Sequence, residues 1–270
     1  MAGKFLTVTA LVGALALPAL AGDAVRNPLT NGETWQILRE NVVGDAAIAD
    51  GSALFTVDAP YRANDAATVP VRIEQTDPDA LIRAATVVID ENPAPVAAEF
   101  TFSEAMAPLD FEMRVRVNQY SNIRVIAETG DGLSMTGRFV KASGGCAAPA
   151  SRDPEAALAS MGEMKMRLFP KDTRMSTPRR EAQIMIRHPN YSGLQRDQIT
   201  HRFISAHFID HVEVWQGEEI LFTMDGGISI SENPVFRFSY ADNGAASLRV
   251  MATDTEGNTF ERTLPKAADS

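Results

Sequence analysis

Residues 67–75 read ATVPVRIEQ, and Val69, Val71 and Ile73 recur at every second position. A period of two puts the three β-branched or aliphatic side chains on one face of a pleated strand. Further along the chain stand LIRAATVVID (81–90), VAAEFTFSE (96–104), FEMRVRVNQ (111–119) and NIRVIAE (122–128). TGDG (129–132) marks a turn, and LSMTGRFVKA (133–142) follows. Short strands punctuated by Gly, Pro, Asn and Asp predict an all-β sandwich. Ahead of them lies NPLTNGETWQILRENVVG (27–44). There Trp35, Leu38 and Val42 follow a helical period, and Thr30 or Asn31 can cap. This predicts one short amphipathic helix over 31–42, packed on a sheet.

The β pattern stops near Ala142. SGGCAAPAS (143–151) is small, and RDPEAALASMGEM (152–164) predicts a short helix with Asp153 as cap and Pro154 at its first position. KMRLFPKDTRMSTPRR (165–180) is mixed and charged, so 142–179 reads as a linker. Strand signals then resume in EAQIMIRHP (181–189), in a hairpin around Gln216-Gly217 within HVEVWQGEEILFTM (211–224), in PVFRFSYAD (234–242), in SLRVMATD (247–254) and in NTFERTLP (258–265). Two pairs of segments echo each other. IDENPAPVAAEFTFSE (89–104) is similar to ISENPVFRFSYAD (230–242), and IRVIAETGDGLSMTGRF (123–139) to LRVMATDTEGNTFERTL (248–264). The echo predicts two related sandwiches, over 22–141 and 180–270, joined by the linker.

The first 21 residues carry Lys4, an apolar run from Phe5 to Leu20 interrupted by Pro18, and a terminal Ala19-Leu20-Ala21. Such a run predicts a cleaved secretory signal peptide, and so a periplasmic chain beginning near Gly22. No later stretch is long and apolar enough to span a bilayer. About 250 residues remain, enough for one large or two small domains. The net charge of -10 moves to -11 when Lys4 is removed, which argues against nucleic acid or an anionic membrane as partner.

Cys146 is the only cysteine of 270 residues. In an oxidising compartment it has no internal partner. It is buried and inert, or pairs incidentally with another molecule, or is an exposed functional thiol. Nothing bulky stands between Ser143 and Ala150, so its neighbours in sequence predict exposure. A self-activated nucleophile needs a base held in rigid geometry, yet all four histidines lie in the second half. Lys141 and Arg152, the nearby cations, depress a solvated thiol little. Such a thiol suits a handle better than a catalyst. His201, His207 and His211 resemble a ligand set only on a helix. On a strand, four residues separate side chains by about 13 Å, so structural or surface roles fit them better. Glu218-Glu219 reads as a solvated hairpin tip. No phosphate loop and no G-x-S-x-G is present, and no cofactor or metal is expected.

GRFVKASGGCAAPA (137–150), with VPVRI (69–73), ENPAPVAAEFTF (91–102) and VIAETGDG (125–132), resembles the sulfur carrier SoxY. AQIMIRHPNYSG (182–193), AHFIDHVEVWQGEEI (206–220), SISENPVFRFSY (229–240) and DTEG (254–257) resemble its partner SoxZ. The order resembles fused SoxYZ-like carriers associated with quinoprotein dehydrogenases. The resemblance implies two immunoglobulin-like sandwiches acting as a non-catalytic carrier, in sulfur metabolism of the thiosulfate-oxidising kind, that covalently holds a sulfur species or another small thiol-linked group. It makes Cys146 the covalent attachment residue, and Gly144, Gly145, Ala147 and Ala148 a flexible arm. Its implied partners are periplasmic enzymes that oxidise the bound intermediate, a quinoprotein dehydrogenase system among them. The SoxY arm closes its chain, whereas here Ala147-Ala148-Pro149 follow and the polypeptide continues. A binding or assembly module with an incidental cysteine shares the same fold.

Overall fold

A computed structural model of the chain describes residues 27–149, 154–169 and 179–266. The signal segment, Asp153 and residues 170–178 of the linker lie outside the described residues. Among the described residues no helix is long and apolar enough to cross a membrane.

Among the described residues, fifteen strands form two layers. In the first half these are β1 (Ile48–Asp50), β2 (Phe55–Asp58), β3 (Val69–Gln75), β4 (Ala84–Ile89), β5 (Val96–Phe102), β6 (Asp110–Val115), β7 (Ser121–Thr129) and β8 (Gly132–Val140). The second half contributes β9 (Met164–Leu168), β10 (Arg179–Ile186), β11 (Ile209–Gln216), β12 (Glu219–Gly226), β13 (Val235–Ala241), β14 (Ser247–Asp254) and β15 (Thr259–Pro265). The alternation read at 67–75 is the burial pattern of β3: Val69, Val71 and Ile73 are fully buried. Each half is an immunoglobulin-like sandwich.

The two sandwiches do not meet only through the linker. One sheet runs β1-β8-β7-β4-β5-β12-β11-β14-β15, the other β2-β3-β6-β13-β10-β9. Both sheets therefore cross from one half to the other, through β5–β12 in one layer and β6–β13 in the other. The strand orders are mirrored about this seam, so β4, β5, β6, β7 and β8 correspond to β11, β12, β13, β14 and β15. Only one of the two sequence echoes follows that symmetry. The segments 123–139 and 248–264 form the equivalent pairs β7–β8 and β14–β15. By contrast, 89–104 forms β5 in one layer and 230–242 forms β13 in the other, so their likeness is local and not a repeat.

Between the two seam pairs, aromatic rings fill the core. Phe222 stands opposite Phe102, and Phe238 opposite Phe111. Phe111 lies 5.1 Å from Phe222, and Phe100 lies 4.8 Å from Phe111, both edge to face. Such rings bury large apolar areas and gain further from edge-to-face geometry.

Two local expectations are corrected. The helix α1 spans Glu33–Val43, but its N-cap is Gly32, not Thr30 or Asn31. Thr30 instead bonds Asn122 through both its N–H and its hydroxyl, which ties the N-terminal segment to β7. The linker is not free of strand: Met164–Leu168 pairs with β10 as the edge of the six-stranded sheet. A predicted helix does occur there, as α2 (Pro154–Ala159). The hairpin turns at Gly217, whose φ of 61° favours glycine.

Candidate functional site

The chain leaves β8 at Val140 and runs back across the end of the first sandwich. The Lys141 N–H donates to the Tyr61 carbonyl, the Gly144 N–H to Asn118 and the Gly145 N–H to Val117. Gly144 has a φ of 78°, in the left-handed region. A short turn of 3-10 helix then covers Gly145–Ala147. A Cβ on Gly145 would stand 2.0 Å from the Ala66 carbonyl oxygen and 2.7 Å from that of Val117. Glycine at 145 is thus required by close approach of two backbones.

This overturns two expectations. Gly144, Gly145, Ala147 and Ala148 form a docked turn, not an extended flexible arm, and Cys146 is fully buried. The sequence neighbours of the thiol are small, and that smallness lets distant segments close over it. Burial pushes the Cys146 thiol up to about 11, against a smaller opposing effect of Arg116.

The cover comes from the second half. Ser192 donates its hydroxyl to the Cys146 carbonyl, and its own oxygen accepts from the Leu194 N–H. Gln195 Nε2 donates to the Ala148 carbonyl at 3.1 Å, while its Oε1 accepts from the Ser192 N–H. Arg116 Nη1 reaches the Gly145 carbonyl at 3.2 Å. The same guanidinium donates to the carbonyls of Ile230 and Asn190, so it spans the seam. Ser192 and Asn190 belong to HPNYSG (188–193), a stretch that sequence reading used only as a mark of resemblance. Its role as a cover carried no sequence signal, because it depends on two distant segments meeting.

The histidines are arranged differently from the triplet considered in sequence. His201 is exposed, and His211 on β11 bonds Asp225 at 2.7 Å and Glu213 at 3.3 Å. His207 instead meets His188, with ring centroids 4.8 Å apart. Both present Nε2 to Asp254 Oδ2, at 3.3 Å for His188 and 2.8 Å for His207. Among the described residues this trio has the proximity of metal ligands. Its bonding does not fit an ion. The Asn190 N–H donates to His188 Nδ1 at 3.0 Å, which leaves the ring proton on Nε2, aimed at Asp254. Asp254 also accepts from Asn258 and from the Glu256 N–H. Burial alone would raise the Asp254 carboxyl, but bonds from Asn258, His207 and His188 outweigh it and bring it to about 2. Burial lowers His188 below the usual imidazole range. The trio is a satisfied hydrogen-bond knot that fixes the root of the covering loop.

What the geometry defines is a pair of immunoglobulin-like sandwiches sharing two sheets, with one buried thiol under a loop of the second. The family model described as sulfur oxidation protein SoxY matches residues 39–146, ending on Cys146. That described as sulphur oxidation protein SoxZ matches residues 166–265, which include the covering loop. The chain belongs to the fused SoxYZ-like proteins, with a SoxY domain followed by a SoxZ domain. Among solved structures, the sulfur carrier protein SoxY from Chlorobium limicola f thiosulfatophilum is similar at 25% identity. That match covers 40% of this chain and 94% of the other, with a TM-score of 0.34. No curated protein matches in sequence. SoxY and SoxZ are sulfur carrier and adaptor proteins, not catalysts.

Proposed function

We propose that this chain is a periplasmic carrier whose Cys146 holds a small sulfur-linked intermediate while separate oxidising enzymes, a quinoprotein dehydrogenase system among them, act on it. The observation that carries the reading is the position of the single thiol. It is the last residue of the SoxY match, and it sits where the SoxZ-like half closes over the SoxY-like half. Joining a thiol to a second sulfur is a two-electron oxidation, so the partner supplies the oxidant. Loading also requires the segment 143–149 to undock, because the docked thiol is buried and held protonated.

That burial favours one second reading, a binding or assembly module in which Cys146 is a packed residue. The intact mass of protein isolated natively from the host periplasm separates the two. A reducible adduct on Cys146 supports the carrier. A free thiol, together with wild-type growth of a Cys146→Ser strain on the pathway substrate, would leave the binding module.

A further inference from the structure

Arg116 follows β6 and is among the largest fully buried side chains of the protein, at 1% exposure. Burying a guanidinium usually requires a carboxylate beside it. Among the described residues none lies within ion-pair distance of Arg116. Its bonds go to three backbone carbonyls: Ile230 at 3.3 Å, Gly145 at 3.2 Å and Asn190 at 3.1 Å. Carbonyl oxygens satisfy N–H groups but carry no full charge, and the carboxylates of Glu232 and Asp65 act on Arg116 only from beyond ion-pair distance. A guanidinium has five N–H donors, so three single bonds leave two of them without an acceptor. Contrast Arg124, also buried, which makes bidentate bonds to Asp90. The cation, with no carboxylate in contact, is anchored on the carbonyl of the residue preceding Cys146, and the thiol feels its field.

We infer that Arg116 is a positioning residue that selects a negatively charged group on Cys146 and draws the loaded segment back under the cover. This rests on the carrier reading above and adds the charge of the cargo to it. An anionic group attached to Sγ supplies the contact counter-charge that the empty state lacks, and a planar guanidinium with free N–H donors suits an oxyanion. A neutral or cationic group of the same size gains nothing from Arg116. The loaded anionic form is therefore held more firmly than a neutral one.

Two alkylating probes test this. Iodoacetate and iodoacetamide each form a carbon–sulfur bond with the thiolate and release iodide. The products differ only in an end group, carboxylate or amide. Each is driven to completion on the full chain, verified by mass, and melted. The carboxymethyl protein should melt higher than the carboxamidomethyl protein. Its folding equilibrium should be favoured by about tenfold, a modest share of what a close charge pair at intermediate dielectric can supply. The difference should vanish in Arg116→Gln and persist in Arg116→Lys. Equal melting of the two wild-type adducts, or a difference that survives in Arg116→Gln, would overturn the inference. Should Arg116→Gln fail to fold, the wild-type carboxymethyl group labelled with carbon-13 decides. Its pKa should fall below that of the same adduct on a free cysteine, and an unshifted or raised value sinks the proposal. Failure here leaves the native adduct untouched, whereas absence of a native adduct sinks the carrier reading whatever the probes show.

Discussion

The Ser192 hydroxyl donates to the carbonyl of Cys146. One half of the chain thereby holds the thiol-bearing segment of the other. Gln195 repeats the arrangement two residues on, at Ala148. The segment that carries the thiol is thus held from the second half through its backbone carbonyls.

Reactivity should show this cover. At pH 8, iodoacetamide should modify Cys146 in the folded protein on the order of a hundredfold more slowly than in the unfolded chain, the loss of thiolate expected from a rise of two pKa units. Ser192→Ala combined with Gln195→Ala should restore much of the rate while the thermal midpoint moves little. Equal rates in folded and unfolded wild type would mean that the docked segment is not the resting state.

Alkaline stability carries the same signature. The folded thiol titrates near 11, above its ordinary value of 9.0, so the protonated form is favoured by folding. Its contribution is complete below pH 9 and is lost as pH rises from 9 to 11. Denaturant melts of wild type and Cys146→Ser should diverge over that window by on the order of 2 kcal/mol. Parallel curves would place the thiol in contact with water.

The two arm glycines should respond differently to alanine. Gly145→Ala drives a methyl into the Ala66 and Val117 carbonyls, so it should undock the segment and cost about 1–3 kcal/mol. Gly144→Ala meets no atom within 4 Å but must hold a φ of 78°. It should cost about 1 kcal/mol, with the thiol still protected. Measuring alkylation and urea midpoints on both variants separates the cases. Similar thiol protection in the two would remove the close-approach argument.

The seam should make the protein unfold as one unit. Phe111→Ala removes a fully buried ring that touches Phe222, Phe236 and Phe238 across the seam. It should cost about 3–5 kcal/mol and lower a single transition for both halves. A chain cut within 170–178 should keep its halves together on gel filtration at micromolar concentration. Two separate transitions, or halves that elute apart, would contradict the shared sheets.

Strand periodicity carried most of the fold into the sequence. Val69, Val71 and Ile73 are legible because alternation is local, and so is the turn at Gly217. What escaped was non-local. The segment that carries Cys146 is bonded by Ser192 and Gln195, far along the chain, and a segment of Gly and Ala carries no mark of what will lie on it. The strand Met164–Leu168 was hidden by its alternating Lys165 and Arg167, which are those of an edge exposed on one face. Spacing along the chain groups His207 with His201 and His211, while the loop root places His188 beside it.

The joined sheets also bear on how the protein avoids sticking to itself. Were either half made alone, β5 and β6, or β12 and β13, would present unpaired N–H and C=O groups in both layers, next to exposed phenylalanine. Open edges of that kind recruit foreign strands. A single polypeptide delivers the two halves in equal number, so every such edge is made together with the partner that seals it.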